Sequence, residues 1–134
     1  MKDSKTKKRT ILLFVIVLIC LCGWWAVRKE GFFLDEIYSY GLANSSYKPF
    51  LNWFYNGEHS YDGKVPETIF RQQDFANYLS VQENGRFNYA SVYYNQTQDI
   101  HPPLFYFLLH TVCSLFPGSF TKWTGLGLNF VLVS

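Results

Sequence analysis

Two short stretches of the chain hold residue types that could do chemistry. The first is Phe33-Leu34-Asp35-Glu36-Ile37-Tyr38-Ser39-Tyr40, with adjacent carboxylates. The second is Gln96-Thr97-Gln98-Asp99-Ile100-His101-Pro102-Pro103-Leu104, where a carboxylate and an imidazole stand two residues apart. A positioned carboxylate can take the proton of an attacking hydroxyl. An imidazole can donate a hydrogen bond to a phosphate and, when protonated, offset its charge. Each cluster also has a plainer account. Acidic residues suit the first turn of a helix, Asp99 can cap one, and His101 can be an interfacial polar residue. Asp99 with His101 could also begin a divalent-metal site, but two ligands do not make one and no third lies near in sequence.

The elements around these clusters are membrane elements. Residues 11–27, ILLFVIVLICLCGWWAV, carry no charge, and 17 residues is the short end of what crosses a bilayer core. Lys2, Lys5, Lys7, Lys8 and Arg9 precede the run, against Asp3 alone. Trp24 and Trp25 stand at its far end, where aromatic rings favour the interface. The positive-inside rule keeps residues 1–10 as a cytoplasmic tail and sends residue 28 onward outside. A cleaved signal peptide would also have a basic start and an apolar core, but no small-residue cleavage site follows this one. The prediction is an uncleaved anchor in the cell membrane. A second apolar run, 102–116, opens on Pro102-Pro103, and proline suits a first helical turn. It reads as a second transmembrane helix, short enough to be partly re-entrant, with a turn at 117–122. A third helix starts near Trp123 and is still running at Ser134, which reads as a truncated frame or an N-terminal fragment.

Residues 28–101 then form an extracytoplasmic loop. A connection of that length needs elements of its own. Helices are predicted at Asp35–Ala43 and from about Pro66 to Glu83, with turns at Asn56-Gly57 and Tyr61-Asp62-Gly63. The loop carries six basic and nine acidic residues and many aromatic rings that suit the interface. Overall, 20% of residues are aromatic and 16% charged, which excludes a disordered chain. The basic charge sits at one end beside an apolar run, which excludes a soluble nucleic-acid binder. Cys20, Cys22 and Cys113 all lie in apolar segments and are odd in number, so free thiols are expected. Asn44-Ser45-Ser46 and Asn95-Gln96-Thr97 fit the N-glycosylation pattern but carry little weight.

An Asp-Glu pair just after the first membrane helix, followed by His101-Pro102-Pro103-Leu104-Phe105-Tyr106 opening the next, resembles the GT-C membrane glycosyltransferases. The likeness is to the family 39 group, with its protein O-mannosyltransferase and lipid A aminoarabinose transferase relatives. It covers the given chain in order, and His110 follows Tyr106 by one helical turn. The resemblance implies an all-α integral membrane protein with multi-pass helices and a long helical outer loop. It implies an inverting transfer of sugar from a polyprenyl-phosphate carrier to a hydroxyl on the outer face. Asp35 would be the general base, and Glu36 would support it or bind the acceptor. Asp99, His101 and Tyr38 would bind substrate. The partners are the bilayer and the lipid-linked sugar donor, with no further cofactor required. The chain departs from some relatives in having no basic residue just after the acidic pair and in having His101 where some have lysine. The family also has many more membrane helices, so this portion alone is expected to be inactive. The competing expectation is a non-catalytic membrane protein with an aromatic outer binding loop.

Overall fold

The computed structural model describes residues 2–51, 54–55, 58–59 and 69–133. The chain divides into two compact units, Met1–Gly31 and Phe32–Ser134.

The first unit is one helix, α1 (Lys2–Arg28). Its 27 residues run about 40 Å, which takes in the basic tail as well as the uncharged run. The stretch Lys5–Arg28 is long and apolar enough to cross a membrane, and no other described helix is. Its large apolar side chains are exposed along the rod, and Ala26 is buried. Trp24 meets Trp25 edge-on at 5.8 Å, and the Arg28 guanidinium lies 4.4 Å over the Trp24 ring. Such a pairing lets a cation lie along an apolar surface.

The second unit is built on α2 (Leu34–Asn44). Helix α3 (Gln72–Leu79), α4 (Tyr89–Gln96) and α5 (Leu104–Ser114) all pack on α2, and α6 (Lys122–Val133) packs on α5. Phe54–Tyr55 and Glu58–His59 form a two-residue antiparallel ladder, with Phe54 opposite His59. Among the described residues the architecture is all-helical apart from that ladder. The core is Tyr40, Leu42 and Ala43 of α2 with Tyr78, Leu79, Val81, Val92, Tyr106, Leu109 and Cys113. The three cysteines are free thiols.

Three contacts fix α2 in place. Gly41 lets the Tyr78 ring cross so closely that a Cβ there would stand 1.9 Å from Tyr78 Cζ. The Tyr78 hydroxyl then donates to the Pro49 carbonyl at 2.8 Å. The Tyr40 hydroxyl donates to the Thr121 carbonyl and accepts the Gly125 N–H, both at 2.7 Å. Phe32, Tyr40 and Phe120 complete that end as an aromatic cluster, Phe32 stacked on Phe120 at 4.4 Å. At the other end, the last carbonyls of α2 have no partner within the helix. Asn95 Nδ2 donates to the carbonyls of Leu42 at 3.1 Å and Ser45 at 2.9 Å, and Ser91 Oγ donates to Ser45 at 2.9 Å.

Several sequence expectations change here. The helix expected from about Pro66 to Glu83 is α3, which starts at Gln72 and stops at Leu79. Its start is set by Asp74, whose carboxylate accepts the Arg71 N–H at 2.7 Å. It stops because its final carbonyls are taken elsewhere. Ser80 Oγ donates to Ala76, Asn44 Nδ2 donates to Leu79, and the Gly118 N–H donates to Val81. Helix α4 has no counterpart in the sequence reading. The turns read at Asn56-Gly57 and Tyr61-Asp62-Gly63 lie outside the described residues. The second apolar run, read over 102–116, is helical over only 11 residues, about 16 Å, and that is too short to span a bilayer core of about 30 Å. It buries Tyr106, Leu109, His110 and Cys113, a single stripe at helical spacing. Leu104, Leu115 and Phe116, flanking that stripe, remain exposed.

Candidate active site

The Asp-Glu pair sits in the first turn of α2. Phe33 precedes it in an extended conformation, and Glu36 reaches back to accept the Phe33 N–H at 2.9 Å. This is the carboxylate half of a capping box, since a phenylalanine side chain cannot supply the other half. Glu36 therefore holds the helix start. Asp35 is exposed beside it. Ser39, one turn on, donates its hydroxyl to the Asp35 carbonyl at 2.8 Å. Tyr38 is also exposed, with its ring edge-on to Phe50 at 5.9 Å.

The second cluster forms where the chain leaves α4 and enters α5. Asp99 Oδ2 and Oδ1 lie 2.9 and 3.1 Å from His101 Nδ1. The Tyr106 hydroxyl donates to Asp99 Oδ2 at 3.3 Å. The Asp99 side chain is 16% exposed and that of His101 is 63% exposed. Burial pushes the Asp99 carboxyl up, but four contacts outweigh it. The His101 hydrogen bond, the Ile100 N–H, the His101 charge and the Tyr106 hydroxyl together hold it below the ordinary carboxylate value. With Nδ1 engaged by Asp99, His101 presents its other ring nitrogen outward as the available one.

Ser39 also lies near the Tyr106 hydroxyl. Hydrogen bonds join His101, Asp99 and Tyr106, while Ser39, near the Tyr106 hydroxyl, bonds separately to the Asp35 carbonyl. Helix α2, which carries Asp35 and Glu36, packs on α5, which carries Tyr106. Tyr38 points its ring to the Phe50 side of α2 instead. Sequence reasoning gave no role to Tyr106 or Ser39. The only local signal is Ser39 standing four residues after Asp35. Tyr106 lies seven residues from Asp99 across two prolines, a pairing visible only once α5 is built.

His110 is buried, its ring 5.7 Å from that of Tyr89, and belongs to the core rather than to this surface. Among the described residues no group of three or more His, Cys, Asp or Glu side chains could hold a metal ion. Asn44 and Asn95, the two glycosylation-pattern asparagines, are both buried and donate to backbone carbonyls. No protein-family model, curated protein or solved structure matches the chain.

Proposed function

We propose that this chain is the front portion of an inverting membrane glycosyltransferase that uses a polyprenyl-phosphate sugar donor. On this reading the acceptor is a hydroxyl on the outer face of the membrane. The observation that supports the proposal is the hydrogen-bonded set of His101, Asp99 and Tyr106, with Ser39, bonded to the Asp35 carbonyl, near the Tyr106 hydroxyl. It gives two chemically distinct groups a common place. An exposed carboxylate can act as base, and an imidazole held by a carboxylate can meet a leaving phosphate.

The acceptor oxygen attacks the anomeric carbon while Asp35 takes its proton. The bond from that carbon to the phosphate oxygen breaks, and the phosphate leaves with the electron pair. Protonated His101 donates from its outward nitrogen to a phosphate oxygen, and Asp99 stabilises the imidazolium from behind. Glu36 supports the base by fixing the turn that carries it, and Tyr38, turned toward Phe50, takes no part in this step.

In this arrangement the protein is a multi-pass protein of the cell membrane, with its N-terminus cytoplasmic. Helix α1 is the first span, α5 enters the outer leaflet as a partly re-entrant helix, and α6 begins the next apolar segment. The exposed apolar residues at the two ends of α5, Leu104 at its start and Leu115 and Phe116 just past its end, fit a lipid surrounding.

The test uses the protein encoded by the whole reading frame, in proteoliposomes, with a radiolabelled polyprenyl-phosphate sugar. Asp35 is exposed, so Asp35→Asn should leave the fold intact. Turnover is expected to fall at least a hundredfold, the weight of a general base. Unchanged turnover in Asp35→Asn would overturn the proposal and favour a non-catalytic binding protein.

A further inference from the structure

Among the described residues, only Tyr47 and Phe87 are non-glycine residues with positive φ, at 50° and 55°. Tyr47 lies just past the end of α2, where a left-handed residue commonly ends a helix and is usually Gly or Asn. A tyrosine in that conformation is unusual. Here the surrounding structure over-determines it. The Tyr47 N–H donates to Ser91 Oγ at 2.8 Å. Ser91 Oγ in turn donates to the Ser45 carbonyl, which also accepts from the buried Asn95. The Tyr47 ring is nevertheless 43% exposed. It meets the Tyr94 ring at 5.5 Å with the planes at 60°. Phe87 shows the same backbone device, its N–H held by Ser114 Oγ, but the Arg86 guanidinium lies 5.7 Å over its ring.

We propose that Tyr47 and Tyr94 form an aromatic corner that binds a pyranose ring. Two inclined rings offer one face for the C–H side of a sugar and two phenol hydroxyls for its rim. The corner is close to the site described above. Tyr94 is five residues from Asp99, and the turn continues between them through Gln98 N–H to Asn95 and Asp99 N–H to Gln96. That places Asp99 about 8–10 Å further along the axis, roughly the length of one to two sugar units. The pyranose in the corner is then an inner unit of an acceptor glycan, and a hydroxyl one to two units further along is the nucleophile. The word acceptor rests on the transferase reading; the binding corner does not.

The test is saturation-transfer NMR on the whole chain in nanodiscs, titrated with methyl α-mannopyranoside and methyl β-glucopyranoside. Two variants are compared with the wild type. Tyr47→Asn keeps a residue that tolerates positive φ and removes the ring, and Tyr94→Leu removes the other ring. Each should raise Kd about three- to tenfold, the loss of one aromatic contact. Saturation transfer should fall on the axial C–H face of the sugar. Binding that ignores both tyrosine variants overturns the corner, even where Asp35→Asn abolishes turnover and the transferase reading stands. Binding lost in Asp99→Asn but kept in Tyr47→Asn would also overturn it, by placing the sugar at His101. Broadening of the Tyr47 ring signals by spin-labelled lipid would assign the pair to the bilayer and refute the proposal. Loss of binding in Tyr47→Asn with undiminished turnover in Asp35→Asn supports the corner and refutes only its role as acceptor site.

Discussion

Gly41→Ala is the sharpest probe of how the second unit is packed. The new Cβ would stand 1.9 Å from Tyr78 Cζ and 2.2 Å from Cε1 and the hydroxyl oxygen. Carbon atoms settle at about 3.5–4.0 Å, so the ring must withdraw by roughly 1.5 Å or more. It has little room, because Tyr78 is buried and its hydroxyl is tied to Pro49. Overpacking of this kind costs about 1–3 kcal/mol. Losing the Pro49 hydrogen bond adds about 1 kcal/mol. Replacing a mid-helix glycine returns about 0.5–1 kcal/mol of helix propensity. The net cost is about 1.5–3 kcal/mol, a drop in Tm on the order of 10 °C for a unit of this size. The assay is thermal unfolding in detergent, repeated in a Tyr78→Leu background. There the clashing ring atoms are gone, and Gly41→Ala should become neutral or stabilising. An equal cost in both backgrounds, or a gain in the wild type, would refute the reasoning.

Asn95→Leu should destabilise the unit by about 1–3 kcal/mol, since it takes the side-chain donor from the buried Leu42 carbonyl while Ser45 keeps that of Ser91; chemical denaturation measures it. Tyr106→Phe should cost under about 1 kcal/mol in stability, the bond being long at 3.3 Å, and should lower turnover several-fold in the whole-frame assay. The Asp99 carboxyl lies below its ordinary value in the folded chain. Its stabilising contribution is therefore fully present above the unfolded value of about 3.9 and is lost as pH falls through the folded pKa. Asp99→Asn should flatten the unfolding profile at that acid end, which a melting series between pH 2 and 6 would record. Expressed in a host that glycosylates secreted chains, the folded protein should carry no glycan at Asn44 or Asn95, because both side chains are buried; intact mass gives the answer.

Much of the framework was legible from local sequence. The uncharged run between Arg9 and Arg28 lies within α1, and Asp35–Ala43 is α2 to within a residue. Pro102-Pro103 marks the entrance of α5, and Trp123 falls one residue inside α6. Helix α4 escaped because Tyr-Ala-Ser-Val-Tyr-Tyr-Asn-Gln has no apolar stripe at helical spacing. It is held by tertiary contacts, with Val92 in the core and Asn95 under the end of α2. The length of α3 was misjudged for a related reason. Its last turn is cut short by partners from α2 and from Gly118, far away in sequence. The shared location of the two chemical clusters was expected from topology. The Tyr106 bond to Asp99 and the nearness of Ser39 to Tyr106 needed the packing of α2 on α5.

The bond between Tyr40 and Thr121 closes a separation of 81 residues. Chains are synthesised at about 5–20 residues per second, so roughly 4–16 s pass between the two. Throughout that interval the inner face of α2 lacks its lasting neighbours. Tyr78, Asn95, Tyr106 and Thr121 emerge one after another, and each covers a further part of it. The nascent chain therefore carries an exposed apolar helix just behind its apolar N-terminal segment. A chaperone or the insertion machinery would have the longest opportunity to hold the protein at that helix.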